Sequence, residues 1–331
     1  MNKELLINRV IAILNESGFI ISDRCDIRPR SFDLAARRDN LFLLIKVLYN
    51  IDGLNQETAG EMLFLSKHLK GSPVVIGEKT RDHSIEAGVA YFRYGIPAVD
   101  VTTLSDYLLE KIPPLIYAEH GGLYVHIDGN FLKEERIKKN ISLGAMASLL
   151  GVSRRTISKY EEGEMAASVD VAVKLEEILD KGFAMAVGLF GRNDPEYIPK
   201  HDKHTHEVED EQARKDPLNI LSFLKNMGFD VLPTAQAPFE AVSILSDSKE
   251  KNATILTGVG EYSSTTVKKA YLMSSISRVA HTESLLIVHG TSKIKNIDRT
   301  VFVEDKELKK FNDKDDFIDL IQQRRHKVEV I

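Results

Sequence analysis

The sequence predicts a multidomain fold in which an all-α domain sits between two α/β domains. Three observations predict it. Apolar strand-like runs alternate with amphipathic helices over residues 1–115, and again over 216–331. Between 130 and 183 the periodicity becomes wholly helical. The length of 331 residues is also enough to bury more than one core.

The first α/β domain opens with a helix carrying Leu5, Leu6, Val10, Ile11 and Leu14, and Gly18 is its natural stop. Strands follow at "SFDLAARR" and "LFLLIKVLY", joined by "RDN" as a hairpin turn. A second helix covers "NQETAGEMLFLSKHL". Then come the strands "PVVIG" and "GIPAVDV", and a last helix from Leu104 to Lys111. Pro113 and Pro114 close the domain. Residues 116–129 form a connector in which glycines bracket a short strand, "LYVHI".

The middle domain, 130–183, has the punctuation of a helix-turn-helix. "FLKEERIKKN" is its first helix, and Ser142 caps the second, "LGAMASLL". Gly151 supplies a left-handed turn, Ser153 caps "RRTISKYEE", and Gly163 ends it. A fourth helix, "SVDVAVKLEEIL", starts at Ser168 with Asp170 in its first turn. Met146, Ala147, Leu150, Val152, Ile157 and Tyr160 hold the positions that face inward where short helices cross. This leaves Ser153, Arg154, Arg155, Ser158 and Lys159 outward. Arginine presents a fork that fits O6 and N7 of guanine in the major groove, while serine and lysine suit phosphates. Arg136, Lys138 and Lys139 are weaker phosphate candidates.

Residues 184–215 are polar and densely charged, a linker by composition. Its His201, His204 and His206 lack a neighbouring cysteine or a helical pair that would fix metal geometry, so no metal is assigned. Beyond it the pattern of the first domain returns. "NILSFLKNMGFDVLP" parallels "RVIAILNESGFIISD", and "PFEAVSIL" parallels "SFDLAARR" with Glu240 where Asp33 stands. "ATILTGV" parallels "LFLLIKV", with Thr257 near Lys46. A helix and the strand "SLLIVHG" follow in the same order. The last domain therefore reads as a repeat of the first.

Composition narrows the partners. Hydrophobic residues at 43% and charged residues at 28% describe an ordinary globular protein, and no apolar run approaches the roughly 18 residues of a membrane span. The single cysteine, Cys25, excludes an intramolecular disulfide and fits a reducing compartment. The opening "MNKELLINRV" reads as an amphipathic helix rather than a signal peptide, so a cytoplasmic protein is expected. With a net charge of -5, contact with DNA must come from a local patch.

The stretch "LKEERIKKNISLGAMASLLGVSRRTISKYEEG" resembles the Cro/CI-type (XRE) helix-turn-helix. That resemblance implies base reading at the start of the third helix, on Arg154 and Arg155, with Ser153, Ser158 and Lys159 in neighbouring base or backbone roles. The flanking domains resemble the PD-(D/E)xK nuclease-like fold. There Asp33 would be an acid and Lys46 the lysine that orients water beside a divalent ion. Leu44 stands where the second acid belongs, and Glu57 or Glu61 would have to replace it. Taken whole, the chain is similar to an archaeal family of HTH-type transcriptional regulators. The expectation is a sequence-specific regulator, not an enzyme, that binds double-stranded DNA as a homodimer and needs no cofactor. The α/β domains would supply the dimer interface, backbone contacts or an effector pocket. A metal-dependent nuclease using Asp33 and Lys46 is the alternative.

Overall fold

The computed structural model describes residues 3–190, 217–245, 253–311 and 313–326. The three linker histidines lie outside them. The first region runs α1 (Lys3–Glu16), β1 (Ile20–Ile21), β2 (Leu34–Arg38), β3 (Leu41–Asn50), α2 (Gln56–His68), β4 (Ser72–Lys79), β5 (Val89–Arg93), β6 (Ile96–Val99) and α3 (Val101–Ser105). The middle holds β7 (Ile116–Glu119), β8 (Gly122–Val125), α4 (Gly129–Lys138), α5 (Leu143–Leu150), α6 (Arg154–Glu161), β9 (Ala167–Ser168) and α7 (Val169–Leu179). The last region has α8 (Pro217–Asn226), β10 (Asp230–Pro233), β11 (Ala241–Leu245), β12 (Ala253–Glu261), α9 (Ser264–Ala280), β13 (Glu283–His289), β14 (Asn296–Ile297), β15 (Thr300–Glu304), α10 (Asp305–Leu308) and α11 (Lys314–His326).

These elements form two compact units that do not follow chain order. The described residues of the first come from Met1–Ser17, Leu48–Leu54 and Val74–Tyr197. In it β4 runs parallel to β6, β6 pairs antiparallel with β5, and β5 runs parallel to β7. Helix α1 buries Leu6, Ile7, Val10 and Leu14, one stripe at helical spacing. The connector is a hairpin, since β7 pairs antiparallel with β8. The middle domain also departs from the all-α expectation. Between α6 and α7, β9 pairs with β8 through Tyr124↔Ser168 and Val125↔Ala167, and Ile127 bridges Ala184. Two residues are too few to show an alternation, so the helical pattern of α7 masks them.

The described residues of the second unit come from Gly18–Val47, Asn55–Pro73 and Ile198–Ile331. It holds the antiparallel set β1-β2-β3 and a six-stranded sheet of order β10-β11-β12-β13-β15-β14. Alternate side chains of that sheet feed two cores, as the strand period of two requires. Leu285 and Ile287 of β13 join Val301, Ile255 and the α11 residues Phe317, Ile318 and Ile321. Leu286 and Val288 face the other way, onto α9. That second core also contains Phe32, Ala35, Phe42, Leu44, Leu65 and Leu69 from the N-terminal region, packed with Phe239, Met273, Ile276 and Phe302.

The two hairpins share local detail. The Asp33 N–H donates to Ile45 O at 2.8 Å, and its carboxylate accepts the Val47 N–H at 2.8 Å. The Glu240 N–H donates to Thr257 O at 2.9 Å, and its carboxylate accepts the Val259 N–H at 2.7 Å. This register matches Thr257 to Ile45 and Gly258 to Lys46, the same alignment as "ATILTGV" against "LFLLIKV", with Thr257 next to the Lys46 position. Among the described residues no helix is long and apolar enough to cross a membrane.

Candidate nucleic-acid interface

Helices α5 and α6 each carry a side-chain cap at their start. Ser142 Oγ accepts the Ala145 N–H at 3.1 Å and Ser153 Oγ accepts the Thr156 N–H at 3.0 Å, so both serines satisfy open helix starts. Gly151 closes α5 with φ 69°, where a side chain would be strained. Met146, Ala147, Leu150, Ile157 and Tyr160 are buried together, and Val152 packs at their edge. Burial raises the pKa of the Tyr160 phenol, so Tyr160 remains neutral at the foot of the core.

With that inner face fixed, the outer face of α6 follows. Ser153, Arg154 and Arg155 are exposed, while Ser158 and Lys159 are half-buried. The arrangement therefore gathers all five predicted positions on one short helix and its cap. Two of them carry ties that the spacing did not reveal. Ser153 Oγ also lies 2.8 Å from Thr156 Oγ1, and the Ser158 hydroxyl donates to Glu162 Oε1 at 2.7 Å.

Two glycines were missed as site residues. A Cβ at Gly144 would stand 2.8 Å from Arg154 Nε, so the absence of a side chain on α5 lets the guanidinium lie across that helix. A Cβ at Gly129 would strike the carbonyl oxygens of Tyr160 and Glu161, which fixes how closely α4 approaches the end of α6. A glycine inside a helix costs about 1 kcal/mol against alanine. Gly144 in "LGAMASLL" was thus a readable signal of close approach.

Arg136, Lys138 and Lys139 each have an intramolecular partner, and burial removes Arg136 from the phosphate candidates. Arg136 is buried and grips Glu161 with Nε at 2.5 Å and Nη2 at 2.9 Å, while Nη1 donates to Ile141 O at 2.8 Å. The Glu161 carboxylate beside it raises the guanidinium pKa further. Lys138 pairs with Glu135 at 2.6 Å, and Lys139 donates to Ile178 O at 3.0 Å.

In the nuclease-like hairpin Asp33 is fully buried. Arg30 Nε stands 3.3 Å from one carboxylate oxygen and the Val47 N–H takes the other. The Lys46 ammonium donates to Arg30 O at 2.9 Å. Leu44 is a core residue. Glu61 accepts the Ala235 N–H at 3.0 Å, and Glu57 Oε2 lies 3.4 Å from Gln236 Nε2. Both carboxylates are thus directed to the C-terminal loop rather than to Asp33. Among the described residues no cluster of three histidine, cysteine or acidic side chains could hold a metal ion. Burial pushes the Cys25 thiol up to about 12, far from an activated thiolate.

The C-terminal hairpin holds a pairing the sequence did not show. Lys269 of α9 donates to both oxygens of Glu240 at 2.6 Å. The lysine comes from the helix, 29 residues from its partner, so no strand motif could reveal it.

Comparison with known proteins agrees with this layout. Residues 3–114 match the family described as "PD-(D/E)XK superfamily domain" and residues 132–184 the family described as "Helix-turn-helix". A protein of Methanococcoides burtonii named "Putative HTH-type transcriptional regulatory protein" is 51% identical over 99% of this chain and 100% of its own length. Similarly named relatives from Methanosarcina barkeri and Halobacterium salinarum are 48% and 40% identical, each over 98% of both chains. With a helix-turn-helix at its centre, a PD-(D/E)XK domain at its start and such agreement from end to end, the chain belongs to this family of HTH-type transcriptional regulatory proteins.

Proposed function

We propose that this protein is a sequence-specific regulator that inserts α6 into the major groove of duplex DNA and acts as a homodimer. Arg154 and Arg155 would meet base edges, and Lys159 a phosphate. Ser153 would set the pitch of the helix through its cap, and Ser158 would serve the backbone if Glu162 releases it. The observation that carries this reading is the pair of exposed arginines at the start of a capped helix whose inner face is pinned by Ile157 and Tyr160. Acids are abundant nearby, so one copy would bind modestly and with a steep salt dependence. Two copies on half-sites one helical turn apart supply the missing affinity.

The flanking domains are read as duplicated scaffolds, 1–115 and 216–331, around the connector 116–129, the DNA-binding domain 130–183 and the linker 184–215. What supports the duplication is the shared hydrogen-bonding of Asp33 and Glu240, together with the antiparallel hairpins β2-β3 and β11-β12 that carry them. With Asp33 held by Arg30 and Lys46 by a carbonyl, a regulatory role is favoured over DNA cleavage.

The test is a gel shift on a random duplex pool, with and without Mg²⁺, followed by sequencing of the retained DNA. Intact DNA enriched in a two-fold symmetric motif is the expected result. Magnesium-dependent cutting that disappears in Asp33→Ala would overturn it in favour of a nuclease.

A further inference from the structure

A cavity of about 440 Å³ opens in the C-terminal domain, at the N-terminal ends of the parallel strands β12, β13 and β15. Ligand sites of this size are ordinary for small metabolites. Its floor is apolar, built from Ile318 and Ile321 of α11 with Ile255 of β12. Its walls are polar. Arg325 donates to Glu283 Oε1 at 2.7 Å, and the Glu283 side chain stays 19% exposed at the cavity edge.

The charges around the cavity do not cancel. Arg299 and Arg325 carry two positive charges against the one negative charge of Glu283, which leaves a net charge of one positive. Among the described residues the Arg299 guanidinium makes no hydrogen bond or ion pair. His281 also lines the cavity; burial, then Arg37 and Arg299, hold its pKa below the usual value, so it adds no charge at neutral pH.

We propose that this cavity binds a free α-amino acid with an apolar side chain. Its carboxylate would meet Arg299, its ammonium would pair with the partly exposed Glu283 carboxylate beside Arg325, and its side chain would lie over Ile318 and Ile321. The three complementary features occur in one molecule of the right size. A phosphate dianion fits less well, because Arg325 is already paired with Glu283 and a single cation remains free. A purely apolar ligand would leave Arg299 and the Glu283 carboxylate unanswered. That such binding would tune DNA affinity rests on the regulator reading above; the site itself does not.

The experiment is isothermal titration calorimetry of the full-length protein with leucine, isoleucine, valine, methionine and phenylalanine, and with glycine and inorganic phosphate as comparisons. At least one apolar amino acid is expected to bind and glycine to bind more weakly. Arg299→Met should weaken binding by about tenfold or more, since it removes a charge-assisted hydrogen bond. Glu283→Gln keeps the acceptor for Arg325 and should also weaken binding, which covers the case in which the arginine variant fails to fold. Thermal melts establish folding of both. The proposal is overturned if none of the five amino acids binds at millimolar concentration, if phosphate alone binds, or if binding survives both substitutions. No DNA is present in the titration, so its outcome stands apart from the test of α6.

Discussion

Arg155 projects from the second position of α6, Lys159 from the next turn but on the same helix, and the two should fail differently when removed. Arg155→Ala should cost about 1–3 kcal/mol and relax selectivity at one base pair. Lys159→Ala should weaken every sequence alike and lower the slope of log affinity against log salt by about one. Binding titrations at several salt concentrations, on the selected site and on single-base variants, separate the two behaviours. Arg154 differs from both because it lies over Gly144. Gly144→Ala should push the guanidinium aside, lowering affinity several-fold. The melting temperature should hold or rise, since alanine favours a helix over glycine by about 1 kcal/mol. A melting curve beside a gel shift shows whether the loss is one of recognition or of folding.

At the scale of elements, the brace between α4 and α6 sets how α6 is presented. Arg136→Met leaves Glu161 buried without its partner and should destabilise the domain by about 3–5 kcal/mol, read as a lower urea midpoint. The helices themselves were legible because their signals are local: Ser142 and Ser153 before a helix, Gly151 after one, and apolar residues at helical spacing. The brace was not. Arg136 and Glu161 are 25 residues apart, and nothing in "EERIKK" separates a buried arginine from a solvated one. Sequence reasoning also passed over β9, which is two residues long, and β14, α10 and α11, where the pattern from Asn296 onward has neither clean alternation nor strong caps. The nuclease-like hairpin was read correctly in outline, but the matching hydrogen bonds of Asp33 and Glu240 to the facing strands lie beyond what the sequence shows.

For the whole molecule, the second unit draws residues 18–47 and 55–73 into one core with the C-terminal region. A protein ending at residue 190 should therefore lose solubility and bind a hydrophobic dye strongly, even though its helix-turn-helix is complete; fractionation of expressed protein checks this. The shared core also governs how the protein comes off the ribosome. Phe42, Leu44, Leu65 and Leu69 emerge early, but their partners Met273 and Ile276 on α9 follow more than 200 residues later, roughly 10–50 s at ordinary elongation rates. For that interval the newborn chain carries an uncovered apolar face, and a holding chaperone has a defined place to sit. Synthesis of α9 and the strands beside it releases it.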